Sequence, residues 1–243
     1  MIEARGLMKS FGDIKAVDDV SFCAKDGCVT GLLGPNGAGK STTLRMLYTM
    51  FEPDSGTALI DGFDVKKDSL AVRSVIGVLA HGAGIYERLS ARENIRYFGE
   101  LHGLSGAMLD QRINELVDLL DMSEFIERRC KGFSQGQKTK VALARSLIHQ
   151  PKNILLDEPS NGLDVLATRG LREVILRLKS AGHCILLSSH VMQEVAILCD
   201  EIVIIANGKV AAKGTPVVIR HSTGEENLEN AFIKAIGSEE GLA

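Results

Sequence analysis

The chain has 243 residues, 45% of them hydrophobic, enough to bury an ordinary core as one domain with room for a subdomain. A formal net charge of −3 argues against a nucleic-acid-binding surface beyond a local patch. Cys23, Cys28, Cys130, Cys184 and Cys199 are odd in number and lack CxxC spacing, which points to reduced, buried thiols and away from a disulfide frame or zinc site.

Up to about Ala24 short stretches alternate, as in residues 17–22, and break at Gly12-Asp13 and Asp26-Gly27; an antiparallel sheet edge is predicted. The apolar run Val29–Leu33 is predicted as a buried strand and residues 43–48 as a helix. Between them Gly34, Pro35, Asn36, Gly37, Ala38, Gly39, Lys40, Ser41 and Thr42 fit G-x-x-x-x-G-K-[ST]. Strand, glycine-rich loop and helix together aim backbone N–H groups and a helix N-terminus at one anion. Gly34, Gly37 and Gly39 let the backbone curl around phosphate oxygens. In such a loop Lys40 reaches the β- and γ-phosphates, and the Ser41 hydroxyl helps hold Mg²⁺. Binding of a nucleoside triphosphate is therefore expected.

Residues 57–60 continue as strand before the Asp61-Gly62 turn. From about Ser90 to Leu147 the pattern is helical, with Ile113, Leu116, Val117, Leu119 and Leu120 at three- and four-residue spacing. Within this block Ser134 and Gln137 form a predicted capping box ahead of a helical run over 138–147. The same arrangement makes Ser134, the Gly136 amide and a positive helix end a second, outward-facing anion site. Beyond Pro151 strands at 153–156, 184–187 and 202–205 alternate with helices at 166–178 and 191–198, and Asn207-Gly208 marks a hairpin. Alternation of this kind implies a parallel sheet covered by helices, with the middle block as an insertion. The expected divisions are a core at about 1–81 and 148–220, a helical subdomain at about 82–147 and a tail at about 221–243. In the tail, Leu228, Phe232 and Ile236 predict a short amphipathic helix packed on its own domain.

The strand at 153–156 runs into Asp157 and Glu158. Parallel sheets bind ligands at the carboxyl ends of their strands, so Asp157 is expected beside Ser41 as a Mg²⁺ ligand. Glu158, pointing the other way from an extended backbone, is expected to orient or deprotonate an attacking water. Apolar runs such as residues 202–206 fall far short of the ~20 residues a bilayer span needs. The start lacks the apolar core of a signal peptide. A soluble intracellular chain is expected, with any membrane part supplied by another polypeptide.

With these motifs in order, the chain resembles, over nearly its whole length, the nucleotide-binding subunits of ABC transporters. The resemblance implies an α/β P-loop NTPase (RecA-like) fold: a parallel-sheet core with an N-terminal antiparallel β subdomain and an inserted α-helical subdomain. It makes residues 34–42 the Walker A loop, Asp157 and Glu158 the Walker B pair, and Phe133, Ser134, Gln135, Gly136 and Gln137 the signature motif. Ser160, Asn161, Gly162, Leu163 and Asp164 match the D-loop, and His190 matches the switch histidine that contacts the γ-phosphate. Phe11 matches the aromatic that stacks on adenine; filling an edge-strand pocket is the other reading of it. The implied reaction is hydrolysis of ATP to ADP and phosphate, with Lys40, Glu158 and His190 catalytic. Two chains would pack head to tail, Ser134 of one closing over the ATP held by Lys40 of the other.

One position departs from the family. Where a glutamine usually contacts Mg²⁺ or water, this chain has His81, which either ligates metal or water or is a loop residue without a role. The implied partners are a second ATPase subunit, as a homodimer, and a separate permease that holds the protein at the inner face of the membrane. No nucleic acid is expected. Tyr86, Leu89 and Ile95 either contact that permease or pack within the helical subdomain. Gln135, residues 161–164 and residues 227–232 are similar to sodium-extruding and related exporters. The rival reading, a non-transport ABC ATPase acting as a soluble switch in DNA repair or translation, would bring a heptad insertion or a second phosphate loop, and neither is present. A switch that does not hydrolyse ATP is disfavoured by Glu158 and His190.

Overall fold

The computed structural model describes residues 1–237; the last six positions of the expected tail, 238–243, lie outside the described residues. Half-buried alternation builds the first layer. β1 (Ile2–Phe11) and β2 (Ile14–Ala24) pair antiparallel, from Ile2 opposite Ala24 to Phe11 opposite Ile14. The alternation slips near Asp19, whose φ is 62°, and the register shifts there to set Leu7 against Val20 and Lys9 against Val17.

β3 (Val29–Leu33) is buried at every position, as a strand covered on both faces must be. α1 (Lys40–Leu47) starts three residues before the predicted helix, because the end of the glycine-rich loop already winds into it. β4 (Ser55–Ile60) and the short β5 (Phe63–Asp64) complete a four-stranded antiparallel sheet in the order β2-β1-β4-β5. α2 (Ser69–Val75) then leads straight into β6 (Ile76–Leu79).

Three helices follow, α3 (Ala91–Leu101), α4 (Gly106–Leu120) and α5 (Gln135–Leu147). Ser90 starts α3 with a full capping box: its hydroxyl accepts from the Glu93 amide, and the Glu93 carboxylate accepts from the Ser90 amide. On α4, Leu109, Ile113, Leu116, Val117 and Leu120 form one buried stripe.

The chain returns to the core through β7 (Asn153–Asp157), α6 (Val165–Ser180), β8 (Cys184–Ser189), α7 (Met192–Leu198) and β9 (Glu201–Ala206). β10 (Lys209–Gly214) folds back on β9 through Asn207 and Gly208, with φ values of 50° and 75° suited to a tight hairpin. The main sheet reads β10-β9-β3-β8-β7-β6, and every neighbouring pair from β9 to β6 is parallel. α8 (Pro216–Thr223) and α9 (Leu228–Ile236) end the described chain. α9 buries Leu228, Ala231 and Phe232 on its own domain, as the tail pattern predicts.

The fully buried strands still alternate. Leu33, Ile154, Leu156, Ile185, Leu187, Ile202 and Ile204 join the helical block in one core, while Leu32, Leu155, Leu186, Val203 and Ile205 join the antiparallel sheet in the other. Of the residues offered as permease contacts, Ile95 is fully buried in the first core and packs within its own subdomain. Leu89 is half-buried, and Tyr86 is 50% exposed.

Gly77 on β6 marks where the core meets the helical block: a Cβ there would lie 2.3 Å from the Ser146 carbonyl oxygen and 2.7 Å from Pro151 Cγ. Gly77→Ala is expected to destabilise the fold by about 1–3 kcal/mol, measured by denaturant unfolding. An unchanged midpoint would mean the two layers separate freely at this contact.

Candidate active site

The carboxyl ends of β3, β7 and β8 converge at one edge of the main sheet. After β3 the loop lies hard against its neighbours. A Cβ on Gly34 would sit 2.2 Å from the Ile205 carbonyl oxygen, and one on Gly39, at φ 107°, 2.4 Å from that of Ala16. Only glycine permits this path. Pro35 is half-buried, Asn36 and Gly37 are exposed, Ala38 is buried, and Ser41 and Thr42 are half-buried. No side chain caps α1, so its first amides are available to a phosphate.

Lys40 is 4% exposed, and its Nζ donates to the carbonyl oxygens of Gly34 at 2.7 Å and Pro35 at 3.0 Å. Burial holds its pKa below the usual lysine value, opposed by the charges of Glu158 and Asp157. The carboxyl end of β7 supplies those charges. Asp157, 2% exposed, accepts at Oδ1 from Ser41 Oγ at 3.0 Å and from Ser188 Oγ at 2.7 Å. Its Oδ2 is buried without a hydrogen-bond partner. One carboxylate with a free oxygen beside a hydroxyl suits Mg²⁺, which takes one or two protein oxygens and keeps water and phosphate for the rest. Among the described residues no group of three His, Cys, Asp or Glu side chains could hold a metal.

Glu158 corrects one expectation. Its backbone is not extended: φ is 49°, in the left-handed region, which costs a non-glycine residue about 1–3 kcal/mol. Its amide donates to Ser188 Oγ at 2.9 Å, and this bond helps hold the turn. The reversal at Glu158, more than strand alternation, aims the carboxylate. Its Oε1 lies 3.3 Å from His190 Nδ1 and 3.9 Å from Lys40 Nζ, and its Oε2 lies 4.0 Å from His81 Nδ1. Lys40, Ser41, His81, Asp157, Glu158 and His190 thus share one site. His81 faces Glu158 within it.

The remaining residues stand elsewhere on the chain. Phe11 is 46% exposed at the end of β1, its ring edge-on to Phe51 at 5.4 Å between centroids. Ser134 is exposed at the start of α5, in the predicted capping box: its Oγ accepts from the Gln137 amide at 3.2 Å, and Gln137 Oε1 accepts from the Ser134 amide at 3.1 Å. Gly136 packs so closely on α6 that a Cβ would meet Ala167 Cβ at 3.1 Å. Asp164 is the N-cap of α6 and accepts from the Ala167 amide at 2.8 Å. Gln135, Asn161 and Gly162 reach a cavity of about 400 Å³ that His81, Asp157 and Glu158 also line.

Ser188 is the member of the site that motif reading passes over. The predicted strand ends at residue 187, whereas β8 runs to Ser189 and places Ser188 in register with Asp157. Two serines ending an otherwise apolar buried strand are the signal that could have found it.

Residues 17–161 match the family described as "ABC transporter". Over 224 residues the chain is 43% identical to the ABC transporter ATP-binding protein NatA of Bacillus subtilis (strain 168), covering 92% of this chain and 91% of that protein. It is 37% identical over 227 residues to the daunorubicin/doxorubicin resistance ATP-binding protein DrrA of Streptomyces peucetius, covering 93% of this chain and 69% of that one. Among solved structures, an ATP-binding subunit of an ABC transporter superposes with a TM-score of 0.88 at 30% identity, over 97% of this chain and 99% of that chain. A dimeric ATP-binding cassette in a post-hydrolysis state bound to ADP and Pi shares the fold, with a TM-score of 0.80 at 23% identity over 88% and 98% of the chains.

Ser188→Ala strips Asp157 of one donor and leaves the Glu158 amide without an acceptor. A loss of about 1–3 kcal/mol in unfolding free energy is expected, with slower hydrolysis as the Glu158 turn loosens. Wild-type stability and turnover together would show that the serine does not hold the pair.

Proposed function

Because this chain belongs to the ABC transporter family, by its match over residues 17–161 and its 43% identity to a transporter ATP-binding protein, we propose that the site at the end of β7 is the hydrolytic centre of a transport motor. The chain is an ATP-binding subunit and an ATPase; the assignment of roles to its residues is our reading. The observation that carries it is the junction of phosphate loop and paired carboxylates, where Ser41 and Asp157 share a hydrogen bond at 3.0 Å and Lys40 lies 3.9 Å from Glu158.

ATP would lie along the loop at residues 34–42, its phosphates held by backbone amides and its adenine stacked on the exposed Phe11 ring. Lys40 would exchange its carbonyl partners for β- and γ-phosphate oxygens. Ser41 and the free Oδ2 of Asp157 are the groups that would hold Mg²⁺, which when bound supplies positive charge to the phosphate oxygens. Glu158 would orient and deprotonate the attacking water, and His190 at 3.3 Å would position that carboxylate and contact the γ-phosphate. We assign His81 to the other carboxylate oxygen, with water or metal as a further contact when the imidazole is neutral.

A second copy would complete the site. Ser134, Gln135, Gly136 and Gln137 of one chain, with the N-terminal dipole of α5, would close over the nucleotide of the other, and Asp164 would position the loop beside it. ATP then favours the closed pair and hydrolysis releases it, a difference in affinity that can do work on a partner. A similar cassette is dimeric with ADP and Pi, which supports this pairing. Among the described residues no helix is long and apolar enough to cross a membrane, so a separate permease would supply the path and hold the subunit at the inner face of the membrane. We read the direction as export, on the likeness to a relative named for drug resistance. The transporter relatives give no support to a role in DNA repair or translation.

Glu158→Gln is expected to cut turnover by at least about a hundredfold while ATP still binds, trapping a dimer visible by size-exclusion chromatography. Lys40→Ala is expected to abolish tight ATP binding in a direct nucleotide-binding assay. Wild-type turnover in the Glu158 variant would remove it as the base. His81→Gln is expected to keep hydrolysis but change its pH profile and its stimulation by the permease; no change in either would leave His81 without a role.

A further inference from the structure

Two segments leave the site from the hydrolytic pair. One runs from Glu158 through Pro159 into residues 160–164, and the other runs from His190 through Val191 into α7. They meet again beyond the catalytic side chains. Ser160 Oγ donates to Glu194 Oε2 at 2.5 Å, the separation of a strong hydroxyl-to-carboxylate hydrogen bond. Ser160 lies two residues past Glu158, and Glu194 lies four past His190. Because Glu158 Oε1 and His190 Nδ1 are 3.3 Å apart, the two contacts close a ring.

Both arms of that ring are held by their own backbone. On the first, the Asn161 amide donates to the Glu158 carbonyl oxygen at 3.1 Å and the Leu163 amide to that of Ser160 at 3.1 Å, so Ser160 sits in a tight turn. On the second, the Val191 amide donates to Ser189 Oγ at 2.9 Å, and the Val195 amide donates to the Val191 carbonyl oxygen at 3.3 Å. Glu194 falls in the first turn of α7. Ser160 and Glu194 are both half-buried, and with Thr168 and Arg172 of α6 and the apolar Leu187 and Leu198 they wall a void of about 10 Å³. Partial desolvation strengthens a hydrogen bond in such a place. His190 is exposed and its chain leads directly into α7, so the placement of α7 sets where the imidazole reaches. Asn161 and Gly162, next to Ser160, line the cavity of about 400 Å³ that Glu158 also lines. The Ser160–Glu194 bond thus ties one wall of that cavity to the helix that follows His190.

We propose that Glu194 is a positioning residue for hydrolysis: by accepting the Ser160 hydroxyl it fixes α7 against residues 160–164 and so sets His190 at Glu158. The proposal rests on the roles assigned above to Glu158 and His190 and adds the residue that fixes their spacing. Glu194 touches neither nucleotide nor water; it acts through His190. A second copy closing on residues 161–164 would press on His190 through this bond, so pairing would be felt at the hydrolytic carboxylate. An acid in the first turn of a helix also suits the helix dipole. The two roles differ in what they require. The dipole needs a charge at residue 194 and is indifferent to Ser160, whereas positioning needs an acceptor at residue 194 and a donor at residue 160.

The test measures steady-state ATP hydrolysis, ATP affinity and thermal unfolding for the wild-type chain, Ser160→Ala, Glu194→Ala, Glu194→Gln and the Ser160→Ala/Glu194→Ala double variant. In Ser160→Ala and in Glu194→Ala kcat is expected to fall about tenfold or more, since a misplacement of about 1 Å remote from the chemistry is enough for such a loss. KM and ATP affinity are expected to stay within about twofold of wild type. The double variant should be no slower than the slower single one, because both changes remove the same bond. Glu194→Gln, whose amide oxygen still accepts, should recover most of the loss. In a Glu158→Gln background Glu194→Ala should still pair on ATP, as read by size-exclusion chromatography. Ser160→Ala and Glu194→Gln keep the test open if Glu194→Ala fails to fold. Wild-type kcat in folded Ser160→Ala would overturn the proposal and leave the ATPase reading intact. So would additive losses in the double variant, or a Glu194→Gln as slow as Glu194→Ala, which would make residue 194 a helix-end charge only. Loss of ATP affinity in step with kcat would overturn it as well, by placing Glu194 among the groups that hold nucleotide. No hydrolysis by the wild-type chain, alone or with its permease, would overturn both.

Discussion

The Asp157 carboxylate is the point on which the site depends. It is almost fully buried, and its two hydroxyl donors come from different elements, Ser41 on α1 and Ser188 on β8. A buried carboxylate is expensive unless hydrogen-bonded, so this one ties phosphate loop, β7 and β8 into a single geometry. The oxygen left without a partner is the one that we propose as the cation ligand. Both hydroxyls reach Asp157 before nucleotide arrives, and groups fixed in advance are the condition under which charges stabilise a developing one.

Next to it the backbone bears strain. Glu158 sits at φ 49° because Asp157 must remain in the sheet while the following carboxylate faces Lys40 and His190. A strand would send that side chain to the opposite face. The hydrogen bond that the Glu158 amide donates to Ser188 Oγ opposes the strain, so one serine serves both acids. Strained, over-determined positions of this kind belong to sites where geometry matters more than local stability.

The helical block stands at a different distance from its own sequence signals. Its capping boxes at Ser90 and Ser134 and its apolar stripe on α4 are local patterns, and each appears in the structure where the pattern lies. Which residues of the 85–95 stretch face outward is a matter of packing. Ile95 and Tyr86 look alike as apolar residues in a polar run, yet one is fully buried and the other half exposed. A cavity of about 330 Å³ between the core and the helical block is still less legible, since it gathers Arg73, Phe98 and Arg145 from three helices and Tyr48, His102 and His149 from the turns after α1, α3 and α5, with no motif among them.

Local chemistry in the chain was enough to determine the phosphate loop, the alternation of strands and helices, the hairpin at Asn207-Gly208 and the adjacent carboxylates at 157 and 158. These are set by glycine freedom, side-chain periodicity and turn propensity, which act over a few residues. Tertiary structure alone decided the left-handed turn at Glu158, the place of Ser188 beside Asp157, the contact of His81 with Glu158 and the burial of Ile95. Each of those follows from which strand end or helix lies next to which, and such neighbours are set by closure of the sheet and packing of the core across tens of residues, as between Asp157 and Ser188, 31 apart, beyond the reach of any local pattern.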